Sequence, residues 1–387
     1  MVWAGSNLGS YAAAEEALRE LVGVSISAGR IRRAGEQIGA ERVAERNLAV
    51  ERFKELAIPQ QGVGSRAVEP PQIGVISLDG GRYQRRDHFG QQDRPPGQNH
   101  WREDKVGCLL SMTGGVQESD PTPELPEWLA TSSAVAELGK LPEKTAVFQP
   151  TDALPGPSSQ TTDQGLYEPP KLVSREVLAS GKDAESFGWQ LACRAWQRAF
   201  PRAGRLAFVA DGAHENWTIQ QKHFGRATPI LDLMHALSYA YAAAEATGDQ
   251  TAYPGWARWI WQGEVDRVIG VLHDVQRQIG KPPAEASPND PREQVHRALV
   301  YYQNHRSRMN YPAYRRLGLP LTSSHIESTV KQINRRVKGS EKFWSRPTSE
   351  GVLQLRADYL THSPSLDAFW LRHQARQTGS NAYNQAT

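Results

Sequence analysis

The sequence predicts an α/β protein, and three observations carry that expectation. Two short apolar runs, Ile73 to Leu78 and Leu206 to Ala210, have the length and composition of buried strands. Apolar residues at helical spacing recur before, between and after these runs. Along the chain the order is strands, helix, strand, helix, strand, helix, the alternation of an α/β domain. The chain has 387 residues, too many for one small core, so length suggests two or three domains.

Taken in order, Tyr11 to Leu56 reads as helical. Ala14, Ala17, Leu18, Leu21 and Val22 share a face until Gly23 breaks the helix. Ser27 then caps a second helix through Ile31, Ala34 and Ile38, which Gly39 breaks again. The second helix carries Arg30, Arg32 and Arg33, so the pair resembles a helix-turn-helix; a plain helical hairpin is the alternative. Pro59 to Pro71 reads as a linker. The first strand begins at Ile73 and delivers Asp79 to the sheet edge. Gly80-Gly81 is expected to form a tight turn, Arg82 to His88 the return strand, and Val106 to Met112 a third strand.

Gln117 to Glu168 is polar and rich in Pro, Ser and Thr, with one helix expected near Ala130 to Leu138. Ser174 to Phe200 reads as one amphipathic helix. The strand ending at Ala210 delivers Asp211. Ala227 to Leu231 is a short strand, and Asp232 begins a helix through Tyr241. Trp256 to Gln278 and Val295 to Asn304 read as an all-helical insert. A helix capped by Leu321 to Ser324 carries Glu327, and a last helix runs near Gly351 to Tyr359.

Composition excludes several classes. Hydrophobic residues make up 39% and charged residues 22%, ordinary for a soluble globular chain. The two cysteines, Cys108 and Cys193, form no CxxC pair, which argues against a zinc ribbon or a disulfide framework. No window approaches the roughly 18 apolar residues of a membrane helix. The N-terminus lacks a secretion-signal pattern, so a cytoplasmic, nucleoid-associated protein without membrane partners is expected. Net charge is only +3, but Pro291 to Arg346 holds 12 Lys or Arg against 3 Asp or Glu. Tyr301, Tyr302, Tyr311, Tyr314 and Trp344 interleave this basic block, a pattern that favours a polyanion surface over a merely solvated face.

Two strand-end aspartates and a glutamate in a basic helix suit one chemistry. Phosphodiester cleavage needs an activated nucleophile and neutralised phosphate charge, and two Mg²⁺ ions roughly 4 Å apart supply both. Mg²⁺ prefers carboxylate oxygens. Asp79, Asp211 and Glu327 are therefore the candidate catalytic and metal-binding residues, with Mg²⁺ or Mn²⁺ as cofactor. Each aspartate alone could simply cap the following helix.

The local sequences around these acids are Ser77-Leu78-Asp79-Gly80-Gly81-Arg82, Phe208-Val209-Ala210-Asp211-Gly212-Ala213 with Trp217, Phe224 to Ala236, and Ser323-Ser324-His325-Ile326-Glu327-Ser328 continuing to Arg335-Arg336-Val337-Lys338-Gly339. In this order they resemble the transposases of the ISKra-type insertion sequences, relatives of the Mutator-type DDE enzymes. The resemblance runs from about Gly9 to Leu360. It implies an RNase H-like core, a mixed sheet flanked by helices, interrupted by a helical insert before the glutamate. It also implies Mg²⁺-dependent cleavage and strand transfer at transposon ends, with Asp79, Asp211 and Glu327 as the metal-binding acids. DNA is the implied partner, and a synapse of two ends needs at least a homodimer. Family members often carry an upstream segment with paired cysteines that this sequence lacks, so the expectation is either a shortened copy or a start codon placed too late.

The domain organisation expected is then as follows. Residues 1–58 form a helical DNA-contacting region. The core occupies 59–244, with a polar excursion at 115–170. Residues 245–310 are the helical insert, 311–376 complete the core with Glu327, and 377–387 are a disordered tail. The family's Asp-x-x-His element falls on Asp232 and His235. It is either a helix cap with a core histidine or an auxiliary pair at the scissile phosphate. A zinc site is not expected, because no partner ligands stand nearby in sequence. Lys331, Arg335, Arg336 and Lys338 either make surface ion pairs or grip the phosphate backbone, the favoured reading. Arg30 and Arg33 are candidate DNA contacts in the first helical pair. Trp217, Trp256, Trp259, Trp261 and Trp344 are either core or a stacking platform for an unpaired base.

Overall fold

A computed structural model describes residues 1–86, 100–130, 168–362 and 365–378. Four helices open the chain: α1 (Val2–Asn7), α2 (Tyr11–Val22), α3 (Ala28–Lys54) and α4 (Ile58–Val63). The strands β1 (Ile73–Arg85) and β2 (Trp101–Thr113) follow, then α5 (Glu127–Ala130) and β3 (Lys171–Ser180). Next come α6 (Ala184–Gln197), β4 (Arg205–Ala210), α7 (His214–His223), β5 (Thr228–Leu231) and α8 (Leu233–Ala246). The helices α9 (Tyr253–Trp261), α10 (Val265–Ile279), α11 (Pro291–His305), α12 (Tyr311–Arg316) and α13 (Ser324–Val337) lead to the short β6 (Phe343–Trp344). The helices α14 (Arg346–Leu360) and α15 (Ser365–Thr378) end the described chain.

The result is an α/β protein with a mixed sheet in the order β3-β2-β1-β4-β5, flanked by helices; β6 pairs with the end of β1. β1 and β2 are antiparallel, as are β2 and β3, whereas β1, β4 and β5 run parallel. Strands β1 and β4 are sealed on both faces, which is why they read as unbroken apolar runs rather than alternating ones. One face carries α6, whose Phe187 and Leu191 crowd Gly107, and α7, whose Trp217 stands 5.9 Å from the Phe208 ring. The opposite face carries α13, where Thr329 accepts the Cys108 thiol at 3.4 Å. Ile326, Val330, Ile333 and Val337 bury one side of α13. Each such burial stabilises by about 1.5–3 kcal/mol. Lys331 and Arg335 occupy the exposed side.

Several expectations are corrected. Gly80-Gly81 makes no turn, because β1 runs straight through to Arg85, paired as Gly80↔Lys105 and Gly81↔Asp104. These glycines permit close approach instead: a Cβ on Gly81 would lie 2.7 Å from an Asp104 carboxylate oxygen. The segment expected as a third strand is part of β2, the return strand. Ser174 to Phe200 is not one helix. Its first part is β3, drawn into the sheet by β2, and Asp183 then caps α6 by accepting the Ser186 N–H at 2.7 Å. Local helical spacing lost there to tertiary strand pairing.

Gly39 does not break α3. It sits where α3 crosses α14, with a hypothetical Cβ only 2.9 Å from Gly351 Cα, so both glycines let two backbones touch. Ser27 does not cap α3 through its side chain; the Ala28 N–H donates to the Glu15 carboxylate at 2.8 Å instead. Gly23, at φ 68°, ends α2 in the left-handed conformation expected of a helix-terminating glycine. The amphipathic stretch after Trp256 is two helices, parted at Gly263 with φ 74°. The helix expected at Ala130 to Leu138 and the tail beyond 378 fall largely outside the described residues. Among the described residues no helix is long and apolar enough to cross a membrane.

Candidate active site

The site forms at the carboxyl ends of β4 and β5, beside the middle of β1, where its parallel pairing with β4 stops. Leu78 and Ala210 are partners across β1 and β4, so Asp79 and Asp211 follow side by side on neighbouring parallel strands. Strand alternation turns both toward the face covered by α13. The next parallel strand, β5, ends at Leu231 and hands the chain to Asp232, the cap of α8. Crevices at the carboxyl ends of such strands are the usual ligand sites of open α/β sheets.

Each acid is held differently. Asp79 accepts the Gly80 N–H at 2.7 Å. Burial and then the charge of Asp211 push its carboxyl up to about 6, with Glu327 adding to the effect. Asp211 accepts the Ala213 N–H at 3.0 Å and the Asn216 Nδ2–H at 2.9 Å, which ties it to the start of α7. Glu327, in the first turn of α13, accepts the Ser323 hydroxyl at 3.4 Å. Burial and the charge of Asp232 raise its carboxyl, against His235 and Lys331.

Asp232 is fully buried and fully partnered. It accepts the His235 N–H at 2.8 Å, the His235 Nδ1–H at 3.0 Å and the Ser323 N–H at 2.5 Å. Burial lowers the His235 pKa, but the Asp232 hydrogen bond and charge, then Asp211 and Glu327, outweigh it and lift the imidazole to about 9. His235 is therefore charged at neutral pH. Its Nδ1 is engaged, so Nε2 is the ring nitrogen left for a ligand. Among the described residues the one group of three whose donor atoms lie within 4.8 Å of one another is Asp232, His235 and Glu327, not Asp79, Asp211 and Glu327; to hold a metal ion there, His235 would have to give up its second proton. The sequence alone hid that grouping, because Glu327 lies 92 residues beyond His235. No partner ligand stands near this pair in sequence, and Glu327 reaches it only through the fold.

A cleft of about 260 Å³ opens beside Asp79 and Asp211, with Glu103, Lys105, Glu215 and Asn216 at its rim. Lys105 bridges Glu103 and Glu215 there. Sequence reasoning singled out none of these rim residues. Asn216 was nonetheless legible in principle, being an amide in the first turn of the helix that follows a strand-end aspartate.

The basic candidates divide. Lys331, Arg335 and Lys338 are exposed on or just beyond α13, and Lys338 Nζ lies 6.0 Å over the Trp101 ring. Arg30 and Arg33 are exposed on a different helix, α3. Arg336 is corrected. It is buried, donates to the Gly5 carbonyl at 2.9 Å, and lies between the Tyr11 and Trp344 rings at 4.6 and 4.8 Å. It pins the N-terminal helices to α13 and offers nothing to a phosphate. The aromatic residues of the basic block, Tyr301, Tyr302, Tyr311, Tyr314 and Trp344, are core. So are Trp217, Trp256 and Trp261, while Trp259 is half-buried beneath Arg267.

No protein-family model matches this chain, and no curated protein matches it.

Proposed function

We propose that the chain is a DDE transposase on an RNase H-like scaffold, cleaving DNA at the ends of an insertion sequence and joining the freed 3′ ends to target DNA. One observation carries the reading. Asp79, in β1 just past the point where its parallel pairing with β4 stops, and Asp211, just after β4, lie side by side, and the helix packed over that face of the sheet bears Glu327, whose charge adds to the rise of the Asp79 carboxyl. The strand order β3-β2-β1-β4-β5 is in keeping with the scaffold.

The donor set suits a divalent cation. Burial first, and then the charge of Asp211, raise the Asp79 carboxyl, and hard carboxylate oxygens are the ligands Mg²⁺ or Mn²⁺ prefers. Asp79, Asp211 and Glu327 would hold it. When bound, the metal makes a water or 3′-hydroxyl a competent nucleophile and neutralises charge at the phosphate. The chain supplies the rest. Asp232 fixes the His235 ring and keeps it protonated, so that its other nitrogen can donate to a phosphate oxygen. Lys331 and Arg335, exposed one and two turns beyond Glu327, bind the backbone of the same strand.

The test uses labelled duplexes carrying the DNA that flanks the gene. Mg²⁺-dependent nicking and a joined product on target DNA are expected, and Asp79→Asn, Asp211→Asn and Glu327→Gln should each abolish both. Nicking without any joined product would reduce the reading to a nuclease on the same scaffold. DNA binding that persists in EDTA, with no nicking in Mg²⁺ or Mn²⁺, would replace it with a DNA-binding protein.

A further inference from the structure

The helices between β5 and Glu327 do more than fill a gap in the chain. Gly212, the residue after Asp211, lies beneath α11. A Cβ added there would stand 2.3 Å from Tyr301 Cε2 and 3.2 Å from His305 Nε2. Arg308 donates its Nη1–H to His305 Nδ1 at 3.0 Å. A guanidinium has no acceptor, so Nδ1 carries the lone pair and Nε2 keeps the proton. That Nε2–H faces the Gly212 backbone, 3.2 Å from where a Cβ on Gly212 would stand. Arg308 itself lies 4.3 Å over the ring of Trp217, on the helix that begins after Asp211.

On its other side α11 grips α8. Tyr301 stacks on Tyr239 with centroids 3.9 Å apart and planes 12° from parallel, one helical turn beyond His235. The Tyr302 hydroxyl donates to the Ala236 carbonyl at 2.6 Å. A single helix thus touches the loop that carries Asp211 and the helix that carries His235.

We infer that Tyr301 and His305 are positioning residues: α11 sets the spacing between Asp211 and the Asp232–His235 pair by clamping Gly212 on one side and α8 on the other. The inference rests on Asp211 and His235 belonging to one site, as proposed above. Neither residue touches the reacting atoms in this account. Their effect passes through Gly212 and Tyr239.

Two readouts test it on the full chain. Amide exchange of residues 211–216, measured without metal, should quicken in His305→Leu, because the loop loses the polar ring edge packed against Gly212. Mn²⁺ affinity in the same variant should fall roughly 10–100-fold, as when an outer partner of a metal ligand is removed. His305→Gln keeps an N–H donor and should restore both, which a purely space-filling role would not require. Gly212→Ala should act like His305→Leu by pushing Tyr301 aside, and it carries the test if His305→Leu does not fold. Wild-type exchange and wild-type Mn²⁺ affinity in both folded variants would overturn the inference. Failure of the wild type to bind Mn²⁺ would instead count against the metal reading, while the exchange data still judge the clamp.

Discussion

Asp104 on β2 and Asp232 at the head of α8 are both shut away from solvent completely, yet their surroundings drive them in opposite directions. Burial pushes both carboxyls up. At Asp232 the His235 ring, the His235 N–H and the Ser323 N–H outweigh burial and hold the group below its ordinary value, as a carboxylate. At Asp104 no other described residue donates to either oxygen. Burial dominates there, its own backbone N–H opposes, Glu103 and Asp79 add negative charge, and the carboxyl rises to about 7. Asn334 Oδ1, on α13, also faces Gly81 and is likewise buried without a donor among the described residues. Depth decides little, then, and the number of N–H groups aimed at the carboxylate decides the charge.

The largest expected effect breaks the Asp232 side of this contrast. Asp232→Ala strands the Ser323 N–H and the charged His235 ring, and should cost about 3–5 kcal/mol of stability. Urea denaturation at neutral pH measures it; a loss well under 1 kcal/mol would mean the network is not a unit.

The second prediction reverses the sign at Asp104. Its folded pKa lies above the ordinary 3.8, so the folded state binds the proton more tightly than the unfolded chain does. The stability this confers is present in full below pH 3.8 and is lost as pH rises through about 7. Asp104→Asn removes that titration. Compared with wild type in EDTA, the variant should be similar at pH 4 and more stable at pH 8 by on the order of 3 kcal/mol. A difference that does not change between the two pH values would show that Asp104 is ionised throughout.

The smallest effect sharpens the account of Asp232. Ser323 reaches that carboxylate through its backbone N–H, and its hydroxyl makes only a 3.4 Å contact to Glu327. Ser323→Ala should therefore change stability by no more than about 0.5 kcal/mol. A larger loss in the same urea assay would assign the hydroxyl a role that its geometry does not suggest.

Much of the fold and part of the site were legible in the sequence. Apolar runs marked β1, β4 and β5 because strands sealed on both faces must be apolar throughout. Those runs ended at Asp79 and Asp211 and handed the chain to Asp232, and alternation turned both strand-end acids to one face. The helical face of α13 was visible in the spacing of Ile326, Val330, Ile333 and Val337. What the sequence could not decide were matters of partnership between distant residues. Whether Ser174 onward is strand or helix depended on an open edge at β2. Whether Gly39 breaks a helix or admits a neighbour depended on Gly351. Arg335 and Arg336 are adjacent cations in one basic helix, but only the packed N-terminal helices turn the second into a buried pin between Tyr11 and Trp344. His305 gave no signal at all, since its role exists only once α11 lies over Gly212. Local pattern fixes which residues are apolar and how often they recur; charge state, close approach and clamp contacts depend on what the folded chain brings within a few ångströms.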